Sequence, residues 1–217
     1  MSTPHTTLSA ERLAKSFSGP PLFSGLDLRL DRGLLAVAGK NGSGKTTLLK
    51  ILAGLLRPSG GRVVVERDGR PLAGEERRLA VGFAGPDLSL YAELTALENL
   101  RFFRAAAGFP AEDAELRRRL EETGLAGEAV ERRVEEFSTG MRQRLRLAFA
   151  RLFDPPVLVL DEPMSGLDTE GRERVQRVVA QARTRGPVVL ASNDERDFVE
   201  PEHRIELSAV ASRRAQT

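Results

Sequence analysis

The chain reads as an α/β fold with one block of helices inserted at about residues 88–150. Three observations predict it. The order of patterns is strand-rich, then helix-rich, then alternating β-α-β. Two short runs, Pro156–Leu160 and Val188–Ala191, are wholly apolar, as expected of strands buried on both faces. The 217 residues, 41% hydrophobic and 29% charged, suit one folded domain with a subdomain and argue against long disorder. A single domain is expected over 1–217, with its core from 1–87 and 151–217 and a helical subdomain from about 88–150.

The elements follow in order. Thr6–Leu13, Leu26–Leu30 and Leu34–Gly39 read as strands, with Asp31-Arg32-Gly33 turning between the last two. Lys45–Leu56 carries helical spacing and stops near Pro58-Ser59-Gly60-Gly61. Arg62–Glu66 and Arg78–Phe83 read as short strands around a loop. Leu94–Ala107, Ala111–Thr123, Glu128–Glu136 and Thr139–Phe153 all read as helical. Thr169–Arg183 is an amphipathic helix between the two apolar strands. Arg204–Val210 is expected as a last, edge strand, and the polar tail from Ala211 as frayed. No internal repeat or low-complexity tract is visible.

Composition excludes several functions. The chain has no cysteine, so disulfides, thiolate metal sites and cysteine nucleophiles are ruled out. Lys plus Arg is 33 against 31 Asp plus Glu, a net charge of only +2. The pI of 9.4 reflects 29 arginines against four lysines, because arginine stays protonated far above neutrality. Nucleic acid is therefore not an expected partner. Arg117-Arg118-Arg119 and Arg132-Arg133 are interleaved with glutamates and read as solvated, ion-paired helix faces. A membrane-spanning helix needs about 20 apolar residues, and the longest runs here, such as Leu34–Ala38, are far shorter. Met1–Lys15 has no apolar signal core. A cytoplasmic protein is expected.

Gly39-Lys40-Asn41-Gly42-Ser43-Gly44-Lys45-Thr46 matches G-x-x-x-x-G-K-[ST], between an expected strand and an expected helix. Glycines let the backbone curl so that its N–H groups point at phosphate oxygens, and a helix start adds positive potential. Lys45 is expected to reach the β- and γ-phosphates, and the Thr46 hydroxyl to bind Mg²⁺. About 115 residues later, the apolar run Pro156–Leu160 ends in Asp161-Glu162. Acids at the C-terminal end of such a strand would face the phosphate loop. Asp161 would hold Mg²⁺, mainly through water, and Glu162 could orient or deprotonate an attacking water. A plain strand cap is the alternative for this acidic pair.

Phe137-Ser138-Thr139-Gly140-Met141-Arg142-Gln143-Arg144 precedes that strand. With the two sites above, it resembles the signature of ABC-type ATPases, commonly LSGGQ; Phe137, Thr139 and Met141 depart from that form. Ser165-Gly166-Leu167-Asp168 looks like the family's D-loop. The resemblance runs from about residue 8 to 207. It implies a P-loop NTPase (RecA-like) core with an antiparallel β subdomain and an inserted α-helical subdomain. It implies ATP and Mg²⁺ as ligands, with Thr47 beside the phosphates. It also implies two copies sandwiching two ATPs head to tail, so that Ser138 and Gly140 of one face the γ-phosphate held by the other. N–H groups and a hydroxyl at a helix start suit an anion, and Ser138 can be a helix N-cap as well. Phe17 lies where the family stacks an aromatic on adenine; a core or turn aromatic is the alternative. Phe23 reads as core.

Two departures stand out. The Q-loop glutamine expected near residue 86 is missing from Phe83-Ala84-Gly85-Pro86-Asp87, where Asp87 could approach Mg²⁺ if the loop shifts by one residue. Asn193 stands in place of the switch histidine, and its amide can donate to a γ-phosphate but carries no charge. Slow or partner-stimulated hydrolysis is expected. The family resemblance implies a separate transmembrane permease subunit and a position on the inner face of the cell membrane. Leu94–Phe103 and Leu22–Leu26 resemble ATPases of heme export in cytochrome c maturation and of other ABC-2-type exporters. Leu94, Leu97 and Leu100 read as a buried helix face, with Glu98 and Asn99 as exposed contacts. A non-transport ABC ATPase and a weakly hydrolysing, nucleotide-gated clamp are the alternatives.

Overall fold

The computed structural model describes residues 5–207. In chain order the elements are β1 (Thr6–Lys15), β2 (Phe23–Leu30), β3 (Gly33–Ala38), α1 (Lys45–Leu52), β4 (Gly60–Arg67), β5 (Arg70–Pro71), α2 (Gly74–Leu79) and β6 (Val81–Ala84). They continue with α3 (Ala96–Ala106), α4 (Asp113–Glu122), α5 (Thr139–Ala150), β7 (Val157–Asp161), α6 (Thr169–Arg183), β8 (Pro187–Ser192) and β9 (His203–Glu206). One sheet is antiparallel, in the order β2-β1-β4-β5. The other is parallel, in the order β6-β7-β8-β3-β9.

The alternation of side chains along a strand builds two layers at once. Val157 and Val159 of β7, with Val189 of β8 and Leu35 and Val37 of β3, face α1 and the antiparallel sheet. Leu158 and Leu160 of β7, with Val188 and Leu190, face the other way onto α5 and α6. α1 is thus packed between the two sheets through Leu48, Leu49, Ile51 and Leu52. A third cluster joins α3, α4 and α5 through Leu97, Leu100, Leu116, Leu120, Leu145 and Ala148. α5 contributes to both helical layers, since Leu147 and Ala150 pack on the sheet.

Four expectations are corrected. The stretch Arg78–Phe83 is not one strand: α2 ends at Leu79 and β6 begins at Val81. α2 buries no residue, so it has no apolar stripe to reveal it; Glu75 and Glu76 near its start and Arg77 and Arg78 near its end suit the helix dipole. Glu128–Glu136 forms two short 3₁₀ turns instead of an α-helix. Its backbone N–H groups bond across to the preceding loop, Val134 to the Leu94 carbonyl at 3.0 Å and Glu135 to the Ala92 carbonyl at 2.9 Å. Asn99 is not an exposed contact but fully buried. Its amide accepts from Tyr91 N–H at 2.8 Å and donates to the Tyr91 and Thr95 carbonyls, both at 2.9 Å. Arg119 is not on a solvated face either: it is 5% exposed, and bonds Glu115, Asp154 and the Arg151 carbonyl. The last strand lies at the sheet edge, but residues 208–210 of the expected strand and the tail from Ala211 lie outside the described residues.

Candidate functional site

The C-terminal ends of β3, β7 and β8 are neighbours in the parallel sheet, and each delivers one part of the site. From β3 the chain turns through Gly39–Gly44 into α1. Gly39 has φ +149, and a Cβ there would lie 2.3 Å from the Leu207 carbonyl oxygen, so only glycine fits. Gly44, at the helix N-cap, has φ +98 and provides the left-handed turn that aims the first free N–H groups of α1 into the loop. A cavity of about 270 Å³ opens over this loop, lined by Leu22, Lys40, Asn41, Gly42, Gly44, Lys45, Thr46, Thr47, Asp161, Glu162 and Asn193.

Lys45 is 6% exposed. Its ammonium donates to the Gly39 carbonyl at 2.7 Å and to Asn193 Oδ1, and lies 4.0 Å from Glu162 Oε1. Asn193 in turn donates to Asn41 Oδ1 at 2.6 Å, so the residue after β8 ties the lysine to the loop's own side chain. Ser43 is buried, and its Oγ has no partner among the described residues.

The carboxylates sit at the end of β7. Thr46 Oγ1 donates to Asp161 Oδ2 at 2.6 Å. Asp161 Oδ1 is buried with no partner among the described residues, a costly arrangement for a carboxylate unless a cation or donor joins it. Burial pushes the Asp161 carboxyl above its ordinary value, against the Thr46 hydrogen bond and the Lys45 charge. Burial also raises Glu162, with Lys45 opposing. Glu162 has φ +50, an uncommon conformation for a non-glycine residue. Its N–H donates to the Ala191 carbonyl at 2.9 Å, and its carbonyl accepts from Gln143 Nε2 at 3.1 Å, which hold that turn.

The remaining expected residues lie elsewhere. Asp87 is exposed and paired with Lys50 Nζ at the end of α1. Its loop is held by Arg146, which donates to the Pro86 carbonyl at 2.9 Å and the Leu88 carbonyl at 3.2 Å. Phe17 is 61% exposed, with Lys15 Nζ 4.7 Å from its ring centroid, and does not line the cavity. Phe23 is in the core. Ser138 caps α5, accepting from Met141 N–H at 3.2 Å, while Phe137 is buried in the helical cluster. Ser138 and Gly140 are not among the cavity's walls; Ser138 is exposed. Sequence reasoning did not find Gln143, Ser192, Asp197 or Arg172, whose roles rest on contacts between distant elements. Only the polar residues inside α5 and α6 and at and after the end of β8 hinted at them.

The profile of the ABC transporter family matches residues 23–165, two thirds of the chain. The chain belongs to the ABC transporter family. It is an ATP-binding ATPase of that family, and its relatives bear this out. It is 41% identical over 196 residues to the cytochrome c biogenesis ATP-binding export protein CcmA of Alkalilimnicola ehrlichii, covering 87% of this chain and 80% of that one. It is 38% identical over 199 residues to the taurine import ATP-binding protein TauB of Pseudomonas entomophila, covering 88% and 75%. Among solved structures, the dimeric bacterial ABC transporter cassette MJ0796 superposes with a TM-score of 0.80 over 93% of this chain and 94% of that one. At 21% identity that likeness shows the fold: this ABC cassette has the α/β P-loop architecture with its antiparallel sheet.

Proposed function

We propose that this chain is the ATP-hydrolysing subunit of a transporter, working as a head-to-tail pair on a separate membrane subunit. One observation carries the reading. Lys45, Thr46, Asp161 and Glu162 share one cavity over the phosphate loop, while Ser138 and Gly140 stand outside it. A second copy presenting that signature would supply the missing N–H groups and hydroxyl at the γ-phosphate. Gly39, Asn41, Gly42, Ser43, Gly44 and Thr47 cradle the phosphates, and Phe17 is free to stack on adenine.

The donor set fits Mg²⁺. Asp161 offers a buried, unpartnered oxygen beside the Thr46 hydroxyl, and hydroxyl and carboxylate oxygens suit that hard cation. Thr46 and Asp161 would hold it, and Asp87 joins only by leaving Lys50. When bound, the ion neutralises charge on the phosphate oxygens. Glu162, raised by burial, accepts the proton of the attacking water. Lys45 leaves Asn193 to bind phosphate, and the Asn193 amide then donates to the same phosphate. An uncharged amide stabilises less than an imidazolium would, so turnover is slow or raised by the partner.

An apolar groove of about 330 Å³ between the turn after α1, β6 and the helices α3 and α5, lined by Leu55, Phe83, Leu88, Phe103 and Phe149, supports the membrane subunit as partner. Leu55, Tyr91 and Phe102 are exposed around it. No helix among the described residues is long and apolar enough to cross a membrane. On this reading the chain sits at the inner face of the membrane, acting through that subunit. Heme or another ABC-2-type export substrate is the cargo we favour, since the export relative CcmA matches at 41% over 80% of its length. The nucleotide-gated clamp is the second reading, favoured by Asn193 holding Lys45.

Mg-ATP turnover of the chain beside Glu162→Gln decides between them. We expect slow turnover, raised by the membrane subunit and lost by at least about 10²-fold in the variant, which still binds ATP and elutes as a dimer with it. Equal silence of both proteins, alone and with the membrane subunit, overturns the hydrolysis reading and leaves the clamp. A cargo-bearing membrane protein that neither binds the chain nor speeds it overturns the transport reading.

A further inference from the structure

Two polar side chains of α5 connect Glu162 to the apolar groove, and the nucleotide chemistry above does not use them. Gln143 and Arg146 stand three residues apart in that helix, so they are neighbours on its surface. Gln143 is 6% exposed. Its Nε2 donates to the Glu162 carbonyl at 3.1 Å, and its Oε1 accepts from Arg146 Nη1 at 3.4 Å. Arg146 gives its other two nitrogens to the loop after β6. Nη2 donates to the Pro86 carbonyl at 2.9 Å, and Nε to the Leu88 carbonyl at 3.2 Å. Leu88 is part of the groove wall.

The donors and acceptors admit one arrangement. A guanidinium only donates and a carbonyl only accepts. The Gln143 amide between them therefore turns its oxygen to Arg146 and its NH₂ to Glu162. Flipped, it would set donor against donor and acceptor against acceptor. A contact of 3.4 Å is long for a hydrogen bond, so Arg146 acts on Gln143 by fixing this orientation more than by bond strength. The Glu162 carbonyl has two lone pairs; Gln143 takes one, and Ser165 N–H takes the other at 3.2 Å. The Ser165 bond closes the turn on itself, and the Glu162 N–H ties it to Ala191 of β8. Gln143 holds the same turn from α5. A residue at φ +50 keeps that conformation only where its surroundings fix it, and the Glu162 carboxylate rides on that backbone.

We propose that Gln143 and Arg146 are positioning residues for Glu162. Gln143 holds the carbonyl, and with it the left-handed turn that aims the carboxylate into the phosphate cavity. Arg146 keeps the Gln143 amide in its donating orientation and ties it to the loop on the groove wall. This rests on Glu162 acting as the general base. A base that swings by about an ångström loses rate, while nucleotide affinity stays because the phosphate loop is untouched.

The test is single-turnover hydrolysis of radiolabelled Mg-ATP by the full chain, which reads the chemical step apart from binding. Gln143→Met keeps the side chain's length and removes both bonds. Gln143→Glu keeps the shape, stays ionised beside Arg146, and turns an acceptor to the Glu162 carbonyl. Both should lower the rate constant roughly 10- to 100-fold, with the ATP dissociation constant within about twofold. Arg146→Met should lower it about 3- to 10-fold. In hydrogen exchange, Gln143→Met should loosen residues 162–165 alone, and Arg146→Met both 85–88 and 162–165. Wild-type rates in the Gln143 variants overturn the proposal. An Arg146→Met variant that loosens 85–88 alone, at the wild-type rate, overturns the part given to Arg146. A Glu162→Gln variant as fast as wild type overturns the base reading instead. Because α5 also begins with Ser138 and Gly140, Gln143→Met is combined with Glu162→Gln. That double variant should elute as a dimer with ATP; loss of the dimer assigns the effect to the signature and overturns the proposal.

Discussion

Lys45 and Thr46 were legible from sequence because a phosphate loop is a local object. Eight consecutive residues set the curl, the helix start and the lysine's reach. Asp161 and Glu162 were legible because a buried strand announces where its acids emerge. Asn99 was not. Its helical spacing suggested an exposed contact, yet its amide replaces the missing partners of the loop before α3. Asn99→Ala would leave the Tyr91 N–H and carbonyl without these bonds. We expect a loss of about 2 kcal/mol, read as a lower urea midpoint with an unchanged slope. Gln143 and Asp197 were hidden because each meets a residue far away in sequence, Gln143 the Glu162 carbonyl and Asp197 the Arg172 guanidinium.

Elements were legible where they bury a face. β7 and β8 are apolar along their length, and α6 shows its stripe through Val175, Val178 and Val179. α2 and the two 3₁₀ turns were missed because neither carries enough burial to imprint a period. α3 shows how a short polar signal sets a boundary. Thr95 accepts from Glu98 N–H at 3.2 Å, and the Glu98 carboxylate accepts from Thr95 N–H at 2.8 Å, a complete capping box. These bonds, the backbone one foremost, hold the Glu98 carboxyl below its ordinary value. Thr95→Ala should cost about 1 kcal/mol, measured by thermal or urea unfolding. The same cap fixes the entry of α3 beside Tyr91 and Phe102 at the proposed partner groove.

Across the whole molecule, the helices are bolted to the core by charge as well as by packing. Arg119 of α4 reaches Asp154, in the loop that feeds β7, with bonds of 2.9 and 2.5 Å. That pairing holds the Asp154 carboxyl below its ordinary value. A carboxylate lowered by folding stabilises the protein above its unfolded value, near 3.8, and that contribution is lost as pH falls through the still lower folded value. Asp154→Asn keeps the shape and tolerates the positive φ of 48. It should cost about 1 kcal/mol at neutral pH, the exposure of Asp154 discounting the pair. Melting temperature followed from pH 6 to about pH 2.5 should then fall less steeply in the variant than in wild type. At the apolar groove, Leu55→Asp places an uncompensated charge on the proposed docking surface. We expect it to lower stimulation of ATP turnover by the membrane subunit about tenfold or more, with the variant's melting temperature kept as the check on folding.

Sequence alone determined the α/β class, the order of the main elements, the phosphate loop and the acids that end β7. Each of these is written in a contiguous stretch, where period, glycine placement or an apolar run reports its physics directly. Only the tertiary structure decided which side chains meet. It brought Asn193 onto Lys45 and Asn41, buried Asn99 and Arg119, paired Asp87 with Lys50, and set Ser192 between Glu162 and Asp197. Those contacts join residues from different elements, and a polar side chain's partner is chosen by how strands and helices pack, which no local pattern records.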